Sequence, residues 1–262
     1  MLKDISKMLG AYAGGEMYKI AFHIQKGGVG KTTLSGNVAA ALATTGNKTL
    51  LIDFDPQGSA SSWLCIEQPQ WELADVLRDR IPVAPAIIKL PGGLSLIPTF
   101  GIGGTLTAFA ETELPKKPRA VEFLNEDIEK LGFEYVIYDL SPGMHALERA
   151  ILAEVDEVVT PLTPEYFSLD GIEIFAAELS EIRKNSRKNI THKRIVCNAM
   201  NESFRRHLAY RDALREKDYK LFVVAQDAKL AESQIAHATI FDYAPKSRAG
   251  EQIRALAAEL VG

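Results

Sequence analysis

The sequence predicts an α/β fold, a mostly parallel twisted sheet with helices on both faces. Three observations carry this. Short β-branched or aromatic runs alternate with helical patterns along the chain, the rhythm of βαβ units. Several runs are apolar at consecutive positions, as strands are when helices cover both of their sides. The first run, Ile20, Ala21, Phe22 and Ile24, passes through a glycine-rich turn into a helix rich in alanine and leucine. At 262 residues, 47% apolar and 24% charged, the chain can bury one large core.

Taken in order, strands are expected at Lys19–Ile24, Thr49–Phe54, Leu94–Pro98, Tyr135–Leu140, Glu157–Pro161, Arg194–Asn198 and Leu221–Ala225. Helices are expected at Lys31–Thr45, Pro118–Leu131, Met144–Glu154, Leu169–Arg187, Glu202–Glu216, Ala228–His237 and Ser247–Val261. Ser59–Gly104 is less periodic and rich in Pro and Gly, which suits short helices and excursions around a site mouth; Gly101–Gly104 and Leu114–Pro118 read as loops. Residues 1–16 form an N-terminal extension with the makings of a short amphipathic helix, and residues 17–262 form the single folded domain.

Composition narrows the function. A net charge of −4 gives no global pull towards nucleic acid or anionic lipid, so any DNA binding must come from a local patch. The two cysteines, Cys65 and Cys197, lie far apart with no C-x-x-C pair, which argues against a zinc or iron–sulfur centre within one chain. Free cysteines suit a reducing cytoplasm. No apolar run approaches a membrane span, and the first residues lack the apolar core of a signal peptide.

The chemistry centres on Tyr18–Thr33, a strand, a glycine loop and a helix in the order that makes GK[ST] a phosphate site and predicts a single-domain P-loop NTPase fold. Gly27, Gly28 and Gly30, with Val29 between them, let the backbone curl and aim its N–H groups at an anion, and the helix that follows adds its positive dipole end. Lys31 can reach the β- and γ-phosphate oxygens; Thr32, next to Thr33, can offer its hydroxyl to Mg²⁺. The second strand ends in Asp53-Phe54-Asp55-Pro56-Gln57, and alternation places Asp53 and Asp55 on one side. Two acids beside a triphosphate need a cation between them. The strand Tyr135–Leu140 ends in a single acid, Asp139, the Walker B arrangement, where a carboxylate holds the water shell of Mg²⁺. Asn198, at the tip of a later strand, offers both donor and acceptor to a base edge. No N-K-x-D guanine box occurs, since Asn47-Lys48-Thr49-Leu50 lacks the acid; this selects ATP over GTP.

The loop departs from G-x-x-x-x-G-K-[ST] by carrying Gln25 at the first glycine position and a second lysine, Lys26. KGGVGKT resembles the deviant Walker A box of the ParA/MinD superfamily of ATPases. The resemblance runs from Met17 to the C-terminus and also covers D-x-D-P-Q, the stretch Thr160–Gly171, Asn198 and Asp242–Gly250. It implies that Lys26 reaches across a dimer interface to the partner's nucleotide, that Asp55 positions the attacking water, and that Asp53 and Asp139 stand by the metal. It implies that Asn198 contacts adenine and that Thr160–Gly171 is a dimer-facing loop running into a helix. Ser141-Pro142-Gly143 departs from the family's usual second switch. Arg248, with Lys246, is the candidate for sequence-independent DNA binding, and the basic run Arg183–Lys188 through Lys193-Arg194 could join it.

The resemblance thus implies a dimerising switch that binds ATP and Mg²⁺, holds non-specific double-stranded DNA, and hydrolyses ATP slowly until a ParB-like centromere-binding protein triggers it. The task would be plasmid or chromosome partition, at the nucleoid in the cytoplasm. The pattern resembles the small form without an N-terminal helix-turn-helix domain. Two other readings stand beside it. A MinD-like membrane or cargo positioner needs a basic amphipathic C-terminal helix, but Glu251–Gly262 sets two glutamates against one arginine on its polar face, so no membrane partner is expected. A metabolic P-loop ligase would turn over ATP with a small molecule and ignore DNA.

Overall fold

The computed structural model describes residues 17–165 and 168–261. The expected N-terminal extension lies outside the described residues, as do Tyr166 and Phe167 of the expected dimer-facing stretch. Among the described residues eight strands form one sheet in the order β3-β4-β2-β5-β1-β6-β7-β8. They are β1 (Tyr18–Phe22), β2 (Thr49–Phe54), β3 (Ile88–Lys89), β4 (Ser95–Ile97), β5 (Tyr135–Leu140), β6 (Glu157–Leu162), β7 (Thr191–Met200) and β8 (Lys220–Ala225). All pairs are parallel except β3 with β4. The α/β architecture read from the sequence is therefore the observed one.

Alternation along the strands separates two cores. Ile20, Phe22, Tyr135 and Ile137 face one side, where α1 (Lys31–Thr44), α2 (Ser59–Leu64), α9 (Ala228–Ile235), α10 (Ile240–Tyr243) and α11 (Arg248–Val261) pack. Ala21, Val136 and Tyr138 face the other, under α3 (Leu73–Leu77), α4 (Val83–Ala86), α5 (Ala120–Lys130), α6 (Ala146–Leu152), α7 (Ser168–Asn185) and α8 (Arg205–Arg215). Helix α1 is buried on nearly every side because α11 covers the flank turned away from the sheet. In α11, Ile253, Leu256, Ala257 and Leu260 are buried, so its apolar stripe is used in packing.

The differences from the expected elements have local causes. Helix α8 starts at Arg205 instead of Glu202 because Asn201 closes a turn, accepting from the amide of Ser203 on its Oδ1 at 3.0 Å and from that of Phe204 on its carbonyl at 3.1 Å. Helix α6 starts at Ala146, where Glu148 reaches back to the His145 amide at 2.9 Å in a capping box. Strand β3, not expected from the sequence, is a two-residue edge strand folded back on β4 through Gly92 and Gly93. Leu114–Lys116 is a 3₁₀ turn and not a loop; it ends an irregular helical stretch from residue 106 and buries Leu114.

The order reverses at β1, which lies between β5 and β6. The crevice at the carboxyl ends of these strands is where an open α/β sheet takes its ligand. Beside it, two loops press together. Gly58 has φ +63°, and a Cβ there would lie 2.6 Å from the Thr99 carbonyl oxygen and 2.7 Å from the Gly101 nitrogen. Gly58→Ala should cost about 2–4 kcal/mol, the sum of left-handed strain and overpacking, and should lower Tm in a thermal melt. An unchanged Tm would show that the two loops are not packed in this way.

Candidate functional site

The glycine loop leaves β1 and enters α1 through Gly28 and Gly30, at φ +73° and +88°. A side chain at Gly30 would meet the Asn198 amide at 2.2 Å. That amide, nearly buried, donates to the Val29 carbonyl at 3.0 Å, so Asn198 underpins the loop. Asn198 is turned there by an irregularity in β7: the register with β8 shifts between Cys197 and Met200, and Ala199 takes φ +54°.

Lys31 is buried, and its ammonium donates to the carbonyls of Lys26 at 2.8 Å and Ile24 at 3.4 Å. Burial draws its pKa below the ordinary lysine range, against the opposing pull of the Asp139 and Asp55 carboxylates. An ammonium held by carbonyls at the mouth of a glycine loop is placed to move onto phosphate oxygens. His23, wholly buried at the end of β1, is kept neutral by that burial, with its pKa down to about 3.

Parallel pairing of β2 with β5 sets Asp53 directly beside Asp139, and both are fully buried. Burial is the main cause that raises both carboxyls above the ordinary range; repulsion from Asp139 adds to it at Asp53, and repulsion from Asp55 adds to it at Asp139. Their surroundings differ. Asp139 Oδ1 accepts from Ser35 Oγ at 3.0 Å, and the Thr32 hydroxyl also bonds this carboxylate. Asp139 Oδ2 is buried with no hydrogen-bond partner among the described residues. An orphaned carboxylate oxygen next to the Thr32 hydroxyl fits a hydrated divalent cation. Asp53 has a partner on each oxygen: Oδ2 accepts from the Ser61 amide at 2.8 Å and the Ser61 hydroxyl at 2.6 Å, and Oδ1 from the Asp55 amide at 3.2 Å.

Asp55 lies past the end of β2, and its Oδ1 accepts from the Gln57 amide at 2.9 Å. It lines an open cavity of about 810 Å³ together with Gly27, Gly28, Gly30, Lys31, Thr32 and Thr33. Asp53 is not among the lining residues, so the two acids expected on one side part company where the strand ends. Sequence reasoning missed the opposite wall, made by Ser59, Ser62 and Trp63 of α2 and by Ala231, Gln234 and Ile235 of α9. Gln234 Nε2 donates to Thr33 Oγ1 at 2.9 Å, and Trp63 Nε1 donates to the Ala238 carbonyl at 2.9 Å. These contacts span long stretches of chain and have no local signature.

Lys26 stands half-exposed at the start of the loop and pairs with Glu165, within the stretch expected to face a dimer partner. Lys246 and Arg248 are exposed near the carboxyl end of β8, with Arg248 Nη2 on Glu202 Oε2 at 2.9 Å. The second basic run does not join them. It lies at the opposite end of the sheet, where α7 returns to the start of β7, and two of its cations serve the fold: Arg183 donates to the Ile190 carbonyl at 2.9 Å, and Arg194 pairs with the buried Glu157 at 2.6 Å.

Among the described residues no helix is long and apolar enough to cross a membrane, and no cluster of three or more His, Cys, Asp or Glu could hold a metal unaided. A cation here would draw its remaining ligands from phosphate and water.

Comparison with known proteins agrees with this geometry. Residues 17–192 match the AAA_31 family, described as an AAA domain. The chain is 43% identical to the Borreliella burgdorferi protein BBD21, over 88% of this chain and 94% of that one. It is 30% identical to the sporulation initiation inhibitor protein Soj of Bacillus subtilis, over 92% of this chain and 97% of Soj. Among solved structures, cobyrinic acid a,c-diamide synthase from Mycobacterium smegmatis with bound ADP and magnesium superposes with a TM-score of 0.78 at 22% identity, covering 94% of each chain; this speaks to fold alone. The glycine loop with its two lysines, the strand-end acids and the match to Soj along nearly the whole chain lead to one conclusion: the protein belongs to the ParA/MinD superfamily, among the Soj and ParA partition ATPases.

Proposed function

We propose that the protein is a Mg²⁺-dependent ATPase that works as a dimerising switch on DNA in plasmid or chromosome partition, with hydrolysis triggered by a ParB-like partner. The observation that carries this reading is that Lys31, Thr32 and Asp55 line one cavity, with the buried Asp139 bonded to the Thr32 hydroxyl behind it and the Lys26 carbonyl holding the Lys31 ammonium. The loop amides and the dipole end of α1 hold the phosphates, and Lys31 moves from the Lys26 carbonyl onto their oxygens. Thr32 and Asp139 would hold Mg²⁺, which would neutralise the charge that builds on the transferring phosphoryl group. Asp55 orients the attacking water. Asn198 contacts the adenine while underpinning the loop.

Lys26 leaves Glu165 and meets the partner subunit's nucleotide when two subunits close. An exposed ion pair of this kind is weak, so its exchange for phosphate is favourable. Lys246 and Arg248, on the closed dimer, meet the DNA backbone without reading bases. The MinD-like membrane reading gains no support from α11, whose apolar stripe is already packed.

Equilibrium binding to duplex DNA with ATP, with ADP and without nucleotide, across a salt series, tests the whole reading; equal binding in all three states would refute it. Lys26→Ala should keep nucleotide affinity within about threefold and lose stimulated turnover by at least ~100-fold, as for cationic groups that meet the transferring phosphoryl in trans. Stimulated turnover at the wild-type rate would remove the cross-subunit role. Asp55→Ala should bind ATP yet hydrolyse it about 100-fold more slowly and accumulate as DNA-bound dimer; turnover at the wild-type rate would contradict the water-positioning role. Arg248→Glu should weaken ATP-dependent DNA binding by about tenfold and flatten its salt dependence, with ATP affinity unchanged. An unaltered shift on non-specific duplex would clear Arg248.

A further inference from the structure

Two buried acids lie side by side near the ends of neighbouring strands, and among the described residues only one of them, Asp139, keeps a carboxylate oxygen without a partner. We infer that Asp53 is a strut and not part of the metal's shell, and that Ser61 is the positioning residue that sets it and ties the acidic loop to the loop at 99–104. The inference deepens the ATPase reading and rests on it for its metal half only.

The Asp53 side chain is tied by hydrogen bonds to helix α2 and to its own loop. Its two oxygens take three donors, from Ser61 N, Ser61 Oγ and Asp55 N, at 2.8, 2.6 and 3.2 Å. A carboxylate already accepting several donors has little left for the waters of Mg²⁺. To offer Oδ2 to the shell it would have to strip Ser61, which is itself buried, and leave a buried hydroxyl and amide unpaired. Asp139 stands one strand away with Oδ2 buried and unpartnered. Equal chemistry at equal depth has been given unequal surroundings, and the ion belongs with the unsatisfied oxygen.

Ser61 does a second thing. Its Oγ donates to Asp53 and accepts from the Thr99 amide at 2.8 Å. Thr99 in turn donates from Oγ1 to the Asp53 carbonyl at 2.5 Å. The three residues close a buried ring between the end of β2, helix α2 and the loop after β4. The loop is held from its far side by the buried Glu72, which accepts from the Phe100 amide at 2.9 Å and the Thr105 amide at 2.8 Å. Close backbone packing of Gly58 against Gly101 completes the clamp. Asp55 hangs from this ring through its own amide on Asp53. Its carboxylate is therefore placed by Ser61 and Thr99, neither of which touches nucleotide on the proposed reading.

Two measurements decide the matter. In nucleotide-free protein, hydrogen–deuterium exchange should rise about tenfold or more in residues 55–62 and 99–104 of Ser61→Ala, and stay near wild type in Ser61→Thr, which keeps the hydroxyl. Thr99→Val should loosen the same two segments to a smaller degree. If exchange in Ser61→Ala equals wild type, the strut is refuted. In the second measurement, a fluorescent ATP analogue is titrated with and without Mg²⁺. Asp139→Asn should lose the Mg²⁺-dependent gain in affinity by tenfold or more, while Asp53→Asn keeps it within about threefold. Equal loss in both variants puts Asp53 back in the shell and overturns the inference. Ser61→Ala should lower kcat with little change in KM, and Ser61→Thr should restore it; a KM effect of the same size would show that Ser61 acts on binding instead. Wild-type protein that binds the analogue without regard to Mg²⁺ would sink the ATPase reading and the metal half together, while the exchange experiment still decides the strut.

Discussion

The structure depends on keeping charge out of water at one place. Lys31, Asp53 and Asp139 are all buried at the carboxyl ends of adjacent strands, where desolvation works against each ionised group. Such a cluster persists only if the backbone and neighbouring hydroxyls supply what water would have supplied. Here the Lys26 and Ile24 carbonyls serve the ammonium, Ser61 serves Asp53, and Ser35 and Thr32 serve Asp139. Of these groups' oxygens only Asp139 Oδ2 is left without a partner among the described residues.

The rest of the architecture follows from holding those groups still. Parallel register between β2 and β5 fixes the two acids side by side, and β1 beside β5 brings the glycine loop to them. Helix α1 is buried along most of its length between the sheet and α11, and so the helix whose first turn carries Lys31, Thr32 and Thr33 is locked from both sides. Deletion of one buried contact in α11 would thus be felt at the loop, through packing and not through any shared ligand.

Much of this was legible in the sequence because it is local. Alternation and apolar runs give seven of the strands, and the loop Lys26–Thr33 announces itself by glycine spacing and context. Asp139 could be found because a strand ends on it. The misses are the long-range ones. Ser61 looks like one of three serines in a short helix, and nothing nearby says that its hydroxyl lies 2.6 Å from Asp53 and accepts from Thr99. Gln234 meets Thr33 across two hundred residues. Alternation also misleads at Asp55, since a period-two argument expires with the strand at Phe54. The basic run after α7 reads as a binding face, yet Arg194 is turned inward to a buried Glu157 whose other neighbour is the Tyr18 hydroxyl at 3.0 Å.

Asn198 shows how a side chain from a distant strand can hold a loop in place. Its Nδ2 is committed to the Val29 carbonyl, and its Cγ and Nδ2 fill the space that a side chain at Gly30 would take. The glycine is therefore required twice, once by a φ of +88° and once by the amide beneath it. The irregular backbone at Ala199 costs strain that a regular β7 would avoid, and strain of this kind survives where the surroundings enforce it. What enforces it here is the loop itself: straightening the strand would restore the ladder with β8 and pull the amide away from Val29, leaving the phosphate cradle without its floor.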